Sequence, residues 1–250
     1  MSLVLFNAKQ STCSQKVRLA LVEKGLVFEE RILDLFGGDQ LKPEYLKINP
    51  NGVVPTLVDE GNPVIDSSVI IEYLDDVDAT TPLRPQDPLK LASMRAWMRF
   101  FEEVPAPAVR VPSYNTVFLR HFKSMSDEEF QAFGESKPLR KQFFLKMGRD
   151  GYSKEEMIGA RERLQLTVDR MEAVLAGSPW LVGEQYTLAD LSILPVIARM
   201  NDIGLQSCWR DRPGLSAWFN RIRDRPSYVK AFYHGSMLSE QYPDLDKCAD

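Results

Sequence analysis

Cysteine and histidine are both scarce in this sequence. Its 250 residues include three cysteines, Cys13, Cys208 and Cys248, and two histidines, His121 and His234. The cysteines are too scattered to form a metal-ligand spacing or a disulfide framework. Two isolated histidines argue against a zinc site or a histidine-dependent triad. We therefore expect no bound metal, and chemistry that relies on hydroxyls, a thiol, backbone amides or a bound cosubstrate.

The sequence also lacks a strong excess of either charge and any long apolar run. Lysine and arginine number 31 against 35 aspartate and glutamate, for a formal net charge of −4. This composition gives no sign of the basic face of a nucleic-acid-binding protein. No stretch approaches the roughly 20 apolar residues that cross a bilayer, and the apolar run at residues 3–6 is too short for a signal peptide. We expect a cytoplasmic protein without nucleic-acid or membrane partners.

Three short segments in the first third of the chain carry candidate chemistry: residues 11–18 (STCSQKVR), 49–55 (NPNGVVP) and 65–68 (IDSS). The first places hydroxyls and a thiol at the start of a predicted helix. The second contains a Val-Pro turn that can present bare backbone to a ligand, and the third places an acid and a hydroxyl at another helix start. Because helix N-termini bind anions, the three together suit a peptide with a thiolate and free carboxylates.

The first part of the chain predicts an α/β domain. Apolar patterning and turn residues indicate strands over residues 3–6, 27–33, 54–58 and 63–65, and helices over 12–24 and 67–74, with a weakly helical link at 39–47. Gly25 stands where the first helix should stop, and Glu29 and Glu30 indicate that the second strand is an exposed edge. The order β-α-β-α-β-β-α predicts a thioredoxin-like domain over residues 1–78.

The remainder of the chain predicts an all-α domain. Residues 79–88 are rich in threonine and proline and indicate a linker. Helical periodicity then dominates residues 89–250, with helices predicted over 91–104, 126–133, 154–175, 187–202 and 213–223. Thr187 stands three residues before Asp190 at a helix start, which approximates a capping box.

Taken in this order, the segments resemble those of the cytosolic glutathione transferases, and the resemblance covers nearly the whole chain. Residues 11–18 resemble the serine motif of the zeta-like and theta-like classes. Residues 49–55 resemble the segment that carries the family's cis-proline, and Asp66-Ser67 stands where the family has Glu-Ser or Gln-Ser. Residues 126–151 resemble an insertion in bacterial transferases that include the lignin β-etherases. The resemblance implies a glutathione-binding α/β domain and a helical domain for the acceptor substrate.

Three residues compete for the catalytic role that the resemblance implies. Ser11 in the zeta-like alignment, or Ser14 in the etherase-like alignment, would donate a hydrogen bond to the glutathione thiolate. The alternative for either serine is a simple N-cap. Cys13 at a helix N-terminus could form a mixed disulfide with glutathione, or it could be a small buried apolar residue.

The resemblance also implies a set of residues that bind glutathione. Pro55 would be cis, so that the Val54 backbone pairs with the tripeptide like an added strand. Ser67 would bind the γ-glutamyl carboxylate, while the short side chain of Asp66 leaves its direct contact open. The full set is Thr12, Gln40, Val54, Pro55, Asp66 and Ser67, with Gln40 either at the glycyl end or simply on the surface.

The candidates for the acceptor pocket are Asn7, Ala8, Phe101, Tyr114, Asn115 and Phe118. Tyr114 and Phe118 are four residues apart and would share one helix face, where they form either a substrate wall or part of the core. Tyr233 and His234 near the C-terminus are candidates for closing the pocket.

The sequence thus predicts a glutathione transferase that acts on a hydrophobic, aromatic electrophile, with cleavage of a β-aryl ether as the reaction to test first. The alternatives are a glutathione-dependent monothiol disulfide reductase that uses Cys13, and a non-catalytic binder of glutathione or hydrophobic ligands. The resemblance further implies a homodimer. Opposite charges at Glu72 and Asp75 and at Arg95 and Arg99 are candidates for its contact.

Overall fold

The structure, a computed structural model, describes residues 2–245 and so leaves Cys248 outside the described residues. Its first part contains a four-stranded mixed sheet made of β1 (Leu3–Asn7), β2 (Phe28–Ile32), β3 (Thr56–Asp59) and β4 (Asn62–Ile65). The strand order is β2-β1-β3-β4, with β1 parallel to β2 and antiparallel to β3. The second strand is therefore an edge strand, as its paired glutamates predict.

Three helices accompany this sheet: α1 (Thr12–Glu23), α2 (Pro43–Leu46) and α3 (Ser67–Val77). Helix α1 begins where the Ser11 hydroxyl accepts a hydrogen bond from the Ser14 amide. It ends before Gly25, whose φ of +66° is in the left-handed region that glycine adopts without strain. Both ends of α1 agree with the sequence-based prediction.

The rest of the described chain is helical. Its helices are α4 (Pro88–Glu103), α5 (Pro105–Thr116), α6 (Asp127–Glu135), α7 (Lys141–Met147), α8 (Lys154–Leu175), α9 (Leu188–Asp202), α10 (Pro213–Arg223), α11 (Pro226–Ala231) and α12 (Leu238–Gln241). Helices α4, α6, α8, α9 and α10 correspond to the predicted ones. Helix α5 was missed because Pro105, Pro107 and Pro112 interrupt its pattern, and α7, α11 and α12 are short. No described helix is long and apolar enough to cross a membrane.

Helix α9 is the centre of the helical part and is buried along almost its whole length. The predicted capping box is present, because the Thr187 amide donates to Asp190 at 3.0 Å. The same carboxylate accepts from the Leu181 amide at 3.0 Å and from the Trp218 indole at 2.9 Å. Burial raises the pKa of Asp190 to about 6. This carboxyl therefore joins three segments around the start of α9.

The two parts of the molecule share one hydrophobic core, in which α1 packs against α9 and α11. Arg18 of α1 is 1% exposed and crosses between the parts. Its guanidinium donates to the Ala231 carbonyl at 2.9 Å, to the Ser236 hydroxyl at 3.1 Å and to the Asn7 side chain at 2.7 Å. These bonds hold the start of the α/β part against the C-terminal helices.

Candidate functional site

A cavity of about 620 Å³ lies between the two parts. One side, the sheet wall, is formed by residues 8–13, 32–36, 39–40 and 51–54. The opposite side, the helical wall, is formed by Ala106, Val109, Arg110, Ser113, Tyr114, Phe118, Phe133, Lys137, Arg140, Phe144 and Arg199. A ligand bound between these walls would contact both parts of the molecule.

The first turn of α1 places the two competing serines differently. Ser11 is half-buried and lines the cavity. Its oxygen accepts from the Ser14 amide at 3.3 Å, which leaves the hydroxyl hydrogen available for a ligand. Ser14 is fully buried, lies outside the cavity lining and accepts from the Ala8 amide at 3.2 Å. The fold therefore brings Ser11 to the cavity and uses Ser14 to fix the loop that precedes the helix.

Cys13 lies in the same turn, and its side chain is half-buried and lines the cavity. Its sulfur is close enough to the Arg140 guanidinium on the helical wall for the two to interact electrostatically. Cys208, the other cysteine of the described chain, is buried in the core of the helical part. The fold thus places one accessible thiol of the described chain at the candidate site.

The loop before β3 presents its backbone to the cavity. The Val54–Pro55 peptide bond is cis, as the resemblance implied. The Val53 carbonyl accepts from the Tyr45 hydroxyl at 2.6 Å and from the Asn49 side chain at 2.9 Å. Val54 lines the cavity, and its amide and carbonyl make no hydrogen bond within residues 2–245. These two groups are free to pair with an extended ligand.

Asp66 and Ser67 lie at the same end of the sheet as this loop. Thr56 pairs with Ile65, so the next residues along β4 are beside Pro55. Asp66 caps α3 by accepting from the Ser68 and Val69 amides at 2.9 and 3.1 Å, at a φ of +71°. The Asp66 carboxylate is thus used within the protein, while Ser67 is the first residue of α3 and its hydroxyl has no partner among the described residues.

The other expected glutathione contacts are at the edge of the sheet wall. Thr12 and Gln40 both line the cavity. Gln40 is buried, and its amide nitrogen donates to the Leu35 carbonyl at 3.0 Å. Its side-chain oxygen has no hydrogen-bond partner in the described chain. Gln40 therefore combines a structural contact with an acceptor that a nearby ligand could satisfy after a small rotation.

Aromatic rings form much of the helical wall. The Tyr114 and Phe118 rings are in edge-to-face contact with centroids 5.0 Å apart, and Tyr114 meets Phe144 at 5.7 Å. Burial raises the pKa of Tyr114, so its phenol remains a hydrogen-bond donor at neutral pH. The expected pair Tyr114 and Phe118 therefore does line the cavity, although Phe118 follows α5 in a short 3₁₀ turn.

The mouth of the cavity is formed by residues that the sequence did not single out. Phe36, in the loop after β2, stacks on His121 with ring centroids 3.8 Å apart. His121 is in turn 2.9 Å from the Tyr242 hydroxyl. Gln241 and Gln10 are hydrogen-bonded across the same region. No short-range sequence signal links these residues, because they come from four distant segments of the chain.

Comparisons with known proteins agree with this geometry. Residues 10–77 match the family model "Glutathione S-transferase, N-terminal domain", and residues 137–226 match "Glutathione S-transferase, C-terminal domain". Protein LigF of Sphingobium sp. strain SYK-6 is 32% identical over 240 residues, covering 93% of each chain. The chain belongs to the glutathione S-transferase family. The tetrachloro-p-hydroquinone reductive dehalogenase of Sphingobium chlorophenolicum is a relative of this transferase, 25% identical over 91% of this chain and 94% of that protein.

Solved structures show the same relationship. The crystal structure of the β-etherase LigF superimposes on the transferase with a TM-score of 0.83, covering 93% of this chain and 99% of that one. A poplar enzyme, glutathione transferase F7 of Populus trichocarpa, matches at 26% identity with a TM-score of 0.74, covering 92% and 97%. The predicted fold class and the predicted family are therefore confirmed, and the transferase is an enzyme of the glutathione-dependent type.

Two expected acceptor-pocket residues lie inside the transferase instead. Phe101 is 2% exposed and stacks on Trp97 in the core with centroids 5.3 Å apart. Asn7 is fully buried, accepts from Arg18 and donates to Glu30 at 3.1 Å. Neither lines the cavity, whereas the neighbouring Ala8 does. The Phe101 side chain points away from the cavity because it packs in the core. The Asn7 side chain points away because it is hydrogen-bonded to the buried Arg18 guanidinium.

Three more candidates are displaced from the cavity. The Asn115 side chain is hydrogen-bonded to the Tyr152 backbone, accepting from its amide and donating to its carbonyl, both at 2.8 Å. Tyr233 donates to Glu30 at 2.6 Å and lies outside the cavity lining, and the His234 side chain is 92% exposed. The expected C-terminal cover is formed by Gln241 and Tyr242, a few residues further along the chain.

The charges expected at a dimer contact are partly used within one chain. Arg95 lies 3.7 Å from Glu72. Asp75 is buried, at 2.9 Å from Lys24 and 2.7 Å from Arg84. Asp75 is therefore unavailable to a second subunit, which corrects that part of the prediction.

Proposed function

We propose that Ser11 activates the thiol of bound glutathione, and that the thiolate attacks an aromatic electrophile held against Tyr114 and Phe118. The observation that carries this proposal is the position of the Ser11 hydroxyl, at the N-terminus of α1 and on the cavity that the aromatic wall closes. A charge-assisted hydrogen bond and the helix terminus both stabilise a thiolate there. Holding thiolate and electrophile in one cavity supplies proximity and orientation.

Glutathione would extend along the sheet wall. Its backbone would pair with Val54, its γ-glutamyl carboxylate would bind at Ser67, and its glycyl end would reach Gln40. The free backbone groups of Val54 and the unpartnered oxygen of Gln40 support this orientation. Thr12 would line the same subsite, while Asp66 acts as the cap of α3. The binding domain is proposed as residues 1–78, the linker as 79–88 and the acceptor domain as 89–250.

The reaction proposed for the first test is cleavage of a β-aryl ether. The glutathione sulfur forms a bond to the carbon that bears the aryloxy group, the carbon–oxygen bond breaks, and the phenolate leaves with the electron pair. The similarity to the β-etherase LigF and the aromatic helical wall support this reaction. Phenol release should require both glutathione and enzyme, and mass spectrometry should detect one glutathione conjugate per phenol. A folded, glutathione-binding enzyme that releases no phenol would reduce the proposal to the general transferase reaction.

The second candidate function is reduction of mixed disulfides by Cys13. The half-buried thiol at the cavity favours it, since a thiolate there could attack a glutathione mixed disulfide. Cys13→Ala should then abolish reductase activity and leave conjugation intact. A third possibility, non-catalytic binding, predicts saturable glutathione binding without turnover of aryl ethers, haloarenes or mixed disulfides.

A cytoplasmic homodimer completes the proposal. Because surface ion pairs contribute little, apolar burial must supply most of the association energy. Light scattering at micromolar protein should give twice the mass of one chain. A monomeric mass would contradict the dimer without affecting the site.

A further inference from the structure

The helical wall carries a strong positive charge. Arg110, Lys137, Arg140 and Arg199 all line the cavity. Within residues 2–245, no carboxylate oxygen lies within the 4.0 Å ion-pair distance of any of these four side chains. Charged groups that leave water are normally paired, because an unpaired buried charge is costly. Lys137 and Arg199 are buried, and Arg110 and Arg140 are half-buried, so four cations without an ion pair on one wall require an explanation.

Lys137 is the clearest case. The residue is 6% exposed, its ammonium lies 3.9 Å from the centroid of the Phe133 ring, and this ammonium has no hydrogen-bond partner in the described chain. Burial lowers the pKa of Lys137, because an ammonium that leaves water is costly to charge. A methionine would fill the same space without the free-energy cost of burying a charge. Its ammonium is therefore placed to meet a charge that enters the cavity.

Arg140, the residue before α7, is a similar case. Burial lowers the pKa of Arg140, and the positive charge of the nearby Arg110 guanidinium lowers it further. Arg199 is different, because it donates to the Gln10 carbonyl and so holds the sheet wall. Lys137, Arg110 and Arg140 thus form a basic cluster, a name we keep for these three residues.

The carboxylates near the basic cluster already have other partners. Glu102 interacts with the basic cluster only at longer range, and it pairs with Lys16 and accepts from Ser68 at 2.7 Å. Across the cavity, Asp39 pairs with Lys42 at 2.7 Å. Asp34 accepts from the amides of its own turn. None of these carboxylates neutralises the basic cluster.

We propose that the acceptor substrate is an aromatic carboxylate, and that the basic cluster binds its carboxylate while the aromatic rings hold its ring. This inference rests on the proposed transferase function and defines the acceptor's chemical class. The ring would lie against Tyr114 and Phe118, and the carboxylate would approach Lys137 and Arg140. A guanidinium pair suits the two oxygens of a carboxylate, and the ammonium adds a point charge.

The test compares two unreactive probes, 4-phenoxybenzoate and its neutral analogue 4-phenoxybenzamide. Calorimetry is performed on protein saturated with S-methylglutathione, which cannot react. The benzoate should bind at least about tenfold more tightly at low salt, and added salt should reduce this preference. Lys137→Met and Arg140→Gln should each remove most of the preference. Lys141→Met is the matched control, because Lys141 is four residues from Lys137, exposed and outside the cavity lining.

Three outcomes would overturn the inference. Equal affinity of the two probes would show that the cluster does not recognise the acceptor's charge. A preference unchanged in both variants would locate the recognition elsewhere. Weakened S-methylglutathione binding in Lys137→Met, with the probe preference intact, would assign the lysine to a carboxylate of the cosubstrate. Failure of wild-type protein to bind S-methylglutathione at all would instead contradict the proposed function.

Discussion

The two walls of the cavity differ in the groups that they present to a ligand. The sheet wall offers backbone groups and small hydroxyls, at Val54 and Ser11, and fully or largely buried side chains hold them in place from behind. The helical wall offers side chains directly, including Tyr114 and Lys137. A backbone surface changes only when its supports change, whereas a side-chain surface changes with each substitution. If glutathione binds the sheet wall as proposed, substitutions in the helical wall would change the acceptor without changing the glutathione site.

The packing beneath each wall follows the same division. The sheet wall is supported by the large core that spans both parts of the molecule. Much of the helical wall is supported by a separate small cluster that includes Phe122, Phe130, Phe144 and Met147. Such a satellite cluster tolerates sequence change without loss of the main core.

Asp190→Asn tests the buried support of α9, which carries Arg199 to the helical wall. The amide cannot accept all the hydrogen bonds that the carboxylate receives, so we expect a loss of about 3 kcal/mol in the free energy of unfolding. The folded pKa of about 6 exceeds the ordinary value of 3.8. Wild-type stability from this group therefore falls as pH rises between those values, whereas asparagine does not titrate.

Urea unfolding between pH 4.5 and 7.5 measures this effect. The stability gap between wild type and variant should narrow as pH rises toward 6 and stay constant above it. Trp218→Phe, which removes one donor and leaves the carboxyl, should keep a pH-dependent profile. A gap that is independent of pH would contradict the raised pKa.

Ser11→Ala tests the hydroxyl of the sheet wall that lines the cavity. If this hydroxyl and the helix terminus lower the thiol pKa by about two units, losing the hydroxyl should reduce turnover up to about 100-fold near pH 6.5. Glutathione affinity should change little. Thiolate absorbance near 240 nm, measured against pH on the enzyme–glutathione complex, reports the thiol pKa directly.

Ser14→Ala is the matched control for this experiment. It should cost about 1–3 kcal/mol of stability, because the Ala8 amide loses its acceptor, but it should retain the thiol pKa. The opposite result, with the wild-type thiol pKa retained in Ser11→Ala and a raised thiol pKa in Ser14→Ala, would reverse the assignment.

Asn49→Ala tests the support of the Val54 loop. Asn49 donates at 2.9 Å both to the Val53 carbonyl and to the Thr56 hydroxyl. We expect a loss of about 2 kcal/mol of stability and glutathione binding weakened several-fold, with turnover at saturating glutathione preserved. Tyr45→Phe removes the second bond to Val53, and the double variant measures their coupling. Unchanged glutathione affinity in both variants would mean that the loop keeps its form without them.

Phe118→Ala and Tyr114→Ala test the aromatic wall. Each should raise the acceptor KM by about 3–10-fold, since an aromatic contact contributes about 0.5–1.5 kcal/mol beyond area burial. The KM for glutathione should not change. Phe101→Leu provides the comparison, because this ring is in the core and outside the cavity: it should lower Tm and leave the acceptor KM alone. Equal KM effects in all three variants would mean that the rings act only through packing.

Local patterns were sufficient where a feature depends on neighbours in the chain. The start and end of α1, the edge position of β2 and the capping box at Thr187 all follow from residues within one or two turns. Residues 11–18 and 49–55 likewise identified the sheet wall, because backbone conformation there is encoded locally. Local patterns did not predict α5, because its prolines disfavour a helix and tertiary packing stabilises it nevertheless.

Periodicity, caps and turns were enough to predict the fold class, and the resemblance of the motifs was enough to predict the family. Segments 11–18 and 49–55 also contain part of the sheet wall, residues 11–13 and 51–54, whereas residues 32–36 were not predicted to line it. Only the tertiary structure decided that Ser11 and not Ser14 lines the cavity, that Phe101 and Asn7 are internal, and which cations share the helical wall. The direction of a side chain depends on what packs against it from distant segments. The spacing of residues in the sequence does not show which distant segments will pack together in the folded chain.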